Sequence, residues 1–137
     1  MLAAALALIV WTLIVWVWMY ATRIPAMRGA KIVPQEGLHP GSLDKLPTPV
    51  RAVADNYNHL HEQPTIFYAL AMITHLSGHG DAINVALAWA YVAARIAHSF
   101  AQIVWRRVVP RFLIFVAGTV ILILIAGRDA VLMLASS

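Results

Sequence analysis

Polar positions are sparse along this chain, and where they recur the interval is helical. The first twenty residues, MLAAALALIVWTLIVWVWMY, carry no charged side chain, and an apolar run of that length suits a helix crossing a hydrocarbon core of ~30 Å. Trp16, Trp18 and Tyr20 close the run before Arg23, the order expected where a span leaves through the interfacial belt. A cleaved signal peptide competes with this reading, but no basic segment precedes the run and no convincing small-residue cleavage site follows it. From Ile24 to Thr48 the prolines 25, 34, 40 and 47 alternate with the glycines 29, 37 and 41, which predicts a loop over residues 24–48 outside the bilayer core. Thr48 followed by Pro49 predicts a capped helix start. Pro64 predicts a bend near Leu60, Asp81 a cap for a third helix, and Pro110 the break before a fourth. The expected helices are 2–22, 49–76, 82–107 and 110–133, in one unit spanning residues 1–137.

Two of these helices carry polar stripes. At about 100° per residue, Arg51, Asp55, Asn58 and Glu62 share a narrow face with His59 at its edge, and the stripe runs into the apolar IFYALAMI. On the third helix Tyr91, Arg95, His98, Ser99, Gln102 and Arg106 lie together, with Val92, Ile96, Phe100 and Val104 elsewhere on the surface. A charge near the middle of a spanning helix costs roughly 2.5–3.5 kcal/mol even on lenient insertion scales. Such stripes therefore turn toward protein or water.

Composition settles the class. At 61% hydrophobic and 12% charged residues over 137 positions, the chain is too apolar for an ordinary soluble domain and too short for more than one compact unit. The reading is an all-α integral membrane protein, a four-helix transmembrane bundle. The net charge of +4 is no sign of nucleic acid, because the basic residues are scattered over loops and helix ends. Four spans place Arg23, Arg28, Lys31, Lys45, Arg51, Arg106, Arg107 and Arg111 on one side of the membrane, which the positive-inside rule makes cytoplasmic. With no cysteine, disulfides, Cys-based metal sites and a protein thiol nucleophile are excluded. His59 and His61 straddle Leu60, and His75 and His79 sit at the opposite turn, so no metal site is expected.

Each polar group also has a purely structural reading. Arg51 and Asp55, spaced i, i+4, make a helix-surface ion pair. Glu62, which is deeper, is expected to pair with Arg95, either as glue between helices or as part of a site. If the stripes line a pocket, Arg51, Arg95, Arg106 and Arg111, joined by Arg23, would bind the carboxylates of a small anion through paired charge-assisted hydrogen bonds. An arginine beside a bound thiol favours the thiolate, and apolar surroundings admit a lipid-soluble second substrate.

The stretch Asn58-His59-Leu60-His61-Glu62-Gln63-Pro64 followed by IFYAL, the third-helix Arg95-Ile96-Ala97-His98-Ser99 and Arg111 after a short basic turn together resemble the MAPEG family, membrane-associated proteins in eicosanoid and glutathione metabolism. The likeness covers about Arg51 to Phe115, and the first helix fits in position and character. It implies a homotrimer of four-helix subunits with glutathione between neighbours near the cytoplasmic face. It further implies that Glu62, Arg95 and His98 belong to the glutathione site or its support and that Arg111 is the catalytic arginine. With the stripe neighbours Arg51, Asn58, His59 and Gln102, these make the expected binding set. Where better-known enzymes of the family carry Arg-Asn before the second-helix glutamate, this chain has Asn58-His59. Gln102 replaces a tyrosine, and Phe112 stands where a small hydroxyl residue follows the arginine. The expected function is a glutathione-dependent transferase or peroxidase acting on lipophilic electrophiles, in the bilayer of a bacterial inner membrane. The alternatives are a non-catalytic subunit of a larger membrane complex, a lipid-binding module, or a small transporter lined by the two stripes. 

Overall fold

The computed structural model describes residues 1–35, 41 and 43–136, all helix and connecting turn with no strand among them. Glu36 to Pro40 of the expected loop, with its Gly37 and Pro40, and Ser42 lie outside the described residues.

Helix α1 (Leu2–Gly29) runs seven residues past its expected end. Pro25 is accommodated because its ring already holds the helical φ and removes only one ladder bond. The helix stops where Lys31 turns left-handed at φ 55°. There the Lys31 N–H donates to the Arg28 carbonyl at 3.1 Å and that of Ile32 to Met27 at 3.0 Å, a Schellman closure with lysine where glycine is usual. The loop therefore begins after the glycine at 29, not at Ile24.

Helix α2 (Thr48–His59) starts one residue earlier than the capping argument placed it. Pro47 is the cap residue, the Thr48 hydroxyl makes no cap bond, and the Pro47 carbonyl accepts from Val50 and Arg51. The bend expected near Leu60 is a full break. Pro64 offers no N–H to the Leu60 carbonyl, and a new helix, α3 (Gln63–Leu76), opens with that proline in its first turn. The Thr65 hydroxyl donates to the Glu62 carbonyl at 2.6 Å, holding the corner.

Helix α4 (Ala82–Phe100) begins as predicted, the Asp81 carboxylate accepting from the Asn84 N–H at 2.8 Å. It does not continue to Arg107. A wider π-helical turn (Ala101–Trp105) follows and ends at Arg106, left-handed at φ 52°. After this corner α5 (Val108–Ser136) runs back along the bundle.

The five segments make four rods, with α2 and α3 sharing one and α4 continuing through the π turn. Leu8, Val15, Phe67, Ala88, Tyr91 and Ile125 close the core between them. Helix α5 packs against α4 at Gly118, where a methyl group would lie 3.4 Å from Arg95 Nη2 and 3.5 Å from Tyr91 Cε2. Outward faces remain apolar, with Leu6, Val17, Ile123 and Leu134 exposed. Both α1 and α5 are long and apolar enough to cross a membrane. Such a surface suits acyl chains, which need no polar partner.

Candidate functional site

The second stripe turns inward, as the cost of exposing it to lipid requires. Tyr91, Arg95, His98, Ser99 and Gln102 are all buried. Ser99 joins α4 to α1, its hydroxyl accepting from Trp11 Nε1 at 3.1 Å while donating to the Arg95 carbonyl. Gln102, in the π turn, accepts from Asn56 Nδ2 at 3.2 Å. This bond fixes α2 to the corner and brings the two stripes together at one end of the bundle.

A cleft of about 230 Å³ opens there, lined by Thr48, Arg51, Ala52, Asp55, Gln102, Arg106, Arg107, Val108 and Arg111. Its shape follows from the backbone. The π turn and the left-handed Arg106 reverse the chain within a few residues, so the basic corner and the first turn of α5 face the start of α2. A second cleft of about 230 Å³ adjoins it, lined by His59, His98, Val108, Arg111, Phe112 and Phe115. The two share Val108 and Arg111. One is walled by guanidiniums, the other by aromatic and imidazole rings, with the His59 and His98 ring centres 6.0 Å apart and those of His98 and Phe115 6.3 Å apart.

The expected site residues divide accordingly. Arg51, Gln102 and Arg111 line the basic cleft, and His59, His98 and Arg111 the aromatic one. Arg95 lies behind them. Its Nε donates to the Tyr91 hydroxyl at 2.9 Å, and its guanidinium carbon sits 4.9 Å from the Tyr91 ring centre and 5.3 Å from that of Phe115, so ring faces supply much of its electrostatic partnership. Its Nη2 has no hydrogen-bond partner among the described residues. Asn58 is exposed and lines neither cleft.

Two expected pairs are corrected. Glu62 does not pair with Arg95: it is exposed at the break between α2 and α3 and binds His59 Nδ1 at 2.8 Å. The break removes Glu62 from the helical register that aligned it with the stripe. Nor does Arg51 pair with Asp55. Its guanidinium turns to the loop, 3.0 Å from the Asp44 carboxylate and 3.2 Å from the Asp44 carbonyl, while the nearby Leu46 side chain is buried and anchors that stretch.

Sequence reasoning missed Asn56, wholly buried on α2 beside the stripe and outside it. An amide beside Ala52, Val53 and Ala54 was its only signal. It also missed a polar cluster at the other end of the bundle. Asp129, 3% exposed, accepts from the Thr74 hydroxyl at 2.5 Å and Asn84 Nδ2 at 3.3 Å, with His79 Nδ1 at 3.8 Å. Beside it Arg128 binds Asp81 at 2.7 Å and Asn84 Oδ1 at 3.0 Å. The Asn84 N–H, helped by Arg128, holds the Asp81 carboxyl below the usual carboxylate range. No cluster able to hold a metal ion occurs among the described residues.

The family model described as MAPEG family matches residues 1–131. No curated protein and no solved structure gives a match.

Proposed function

The chain belongs to the MAPEG family, membrane helical bundles of glutathione and eicosanoid metabolism, and from that premise we propose that it is a glutathione-dependent transferase or peroxidase acting on lipophilic electrophiles. One observation carries the reading: Arg111 is common to a guanidinium-lined cleft and an aromatic one. Each cleft alone is smaller than the ~300–1,000 Å³ usual for a ligand pocket, but joined through Arg111 and Val108 they come within it.

The donor set fits a peptide thiol. Arg106 and Arg107 offer forked N–H pairs that match carboxylates, beside the Arg51 guanidinium that Asp44 holds at the cleft edge. Glutathione bound here supplies the nucleophilic sulfur. Arg111 stabilises negative charge at that sulfur, because a guanidinium next to a thiol favours its deprotonated form. Phe112, Phe115 and Val108 exclude water and present an apolar wall to a substrate arriving from the bilayer. Gln102, held by Asn56, orients the corner that carries the arginines. In this reading three copies assemble, and the basic end faces the cytoplasm of a bacterial inner membrane, as the excess of Lys and Arg at that end supports.

Titration of the purified protein in detergent with glutathione tests the proposal. Saturable binding with a thiolate absorbance signal is expected, together with conjugation to a model electrophile. Arg111→Ala is expected to lower the conjugation rate by about two orders of magnitude, the loss typical of removing one charge-stabilising donor. Unchanged binding and conjugation in Arg111→Ala would show that the arginine has no catalytic part. Native mass measurement of the same preparation tests the trimer.

A further inference from the structure

Four guanidiniums and one carboxylate make up the charged lining of the basic cleft. The carboxylate, Asp55, is the anomaly. A cleft built only to hold anions gains nothing from a negative charge on its wall, since it repels the ligand and offsets one of the cations. Helix geometry would ordinarily dispose of it, because Arg51 precedes it by four residues and the two side chains are neighbours on the surface. That pairing is not made. Asp44 holds the Arg51 guanidinium through both its carboxylate and its carbonyl, at 3.0 and 3.2 Å, and among the described residues Asp55 makes no ion pair. The loop thus frees an exposed carboxylate to face the cleft. Glu62, the other acid of the same stripe, is bound to His59 at 2.8 Å and lies outside the lining.

A wall with several cations and a single free anion is complementary to a ligand that carries carboxylates and one ammonium group. We propose that Asp55 is a specificity-determining residue that reads the free α-amino group of the thiol substrate, restricting the site to peptide thiols whose amine is unblocked. The inference rests on the thiol-binding reading above and adds to it the class of thiol accepted. Asp55 has no part in the chemistry at sulfur. An ammonium placed near four guanidiniums is repelled unless a carboxylate adjoins it, so Asp55 both offsets that repulsion and accepts the amine's hydrogen bonds. Acylating the amine removes the positive charge and leaves Asp55 facing carboxylates it repels.

Calorimetric titration of the full-length protein in detergent with glutathione and with glutathione acetylated on its α-amino group is the test. The wild type is expected to prefer the free amine by about tenfold or more, the worth of one hydrogen bond between charged groups. Asp55→Asn is expected to bring the two thiols within about twofold of each other, through weaker binding of glutathione with the acetylated form unweakened. A merely structural role for Asp55 would move both affinities together. Equal binding of the two thiols by the wild type, or the full preference retained in Asp55→Asn, overturns this inference and leaves the thiol-binding reading standing. Absence of saturable binding of either thiol overturns both.

Discussion

The two polar ends of the bundle contain the same kinds of side chain and use them in opposite ways. Around Asp129 the groups are turned on one another: a buried carboxylate takes hydrogen bonds from Thr74 and Asn84, and Arg128 joins Asp81 and Asn84. Three helices, α3, α4 and α5, end in a knot whose charges are consumed internally. At the other end Arg106, Arg107 and Arg111 line an open cleft, and no ion pair to any of them occurs among the described residues. Satisfied polar groups stabilise a fold, whereas a cluster of like charges left in the open is held there by the surrounding structure and keeps its capacity for a ligand. The contrast, more than the presence of arginine, is what makes the basic end the candidate site.

Substitutions at the two ends should therefore separate stability from binding. The largest effect on stability is expected at Asp129→Ala, which leaves Thr74 and Asn84 buried with lost partners. Removing a charged acceptor from such a site lowers stability by about 2–3 kcal/mol, measurable as a fall in the detergent unfolding temperature, while glutathione affinity at the far cleft stays unchanged. Arg111→Ala should show the reverse, with its loss of rate accompanied by a stability change within about 0.5 kcal/mol. A smaller effect isolates the corner itself. Arg106→Gly and Arg106→Ala both remove the guanidinium, but only glycine relieves the left-handed backbone, so the glycine variant should be the more stable by about 1 kcal/mol. The smallest is a pH effect. Asp81 has its folded-state pKa depressed, so its contribution is present above the unfolded-state value and is lost as pH falls through the folded one. Asp81→Asn should flatten this part of the acid dependence of unfolding, seen as a smaller drop in unfolding temperature between neutral pH and the lower carboxylate range. If Asp81→Asn leaves the acid profile as steep as in the wild type, the cap and its arginine do not act as described.

The inward face of α4 was legible because a membrane removes the alternatives. Tyr91, Arg95, His98 and Gln102 share a face by spacing alone, and lipid on the other side leaves them one direction. The Asp81 cap was legible for a similar reason, being a local rule that needs no partner distant in sequence. Glu62 and Arg51 were misread for the opposite reason. A helical wheel assumes an unbroken helix, and Pro64 ends that assumption one turn before the apolar run, carrying Glu62 out of register. Arg51 found its partner in the loop, where no periodicity points. The knot around Asp129 draws its residues from three helices and the turn before α4, none forming a pattern in its own segment, and the extension of α1 to Gly29 depended on a lysine accepting the conformation usually given to glycine.

One hydrogen atom sets how closely α5 lies against α4 at Arg95 and Tyr91. Because position 118 has no side chain, α5 rests directly on the guanidinium of Arg95, and Phe115, three residues earlier on the same helix, is drawn into the wall beside His98. A methyl group there would fill the seam at ordinary contact distance, 3.4 Å from Arg95 and 3.5 Å from Tyr91, whereas a longer side chain would have to displace the guanidinium. The seating of α5 beside the clefts is thus gauged by a residue that lines neither of them.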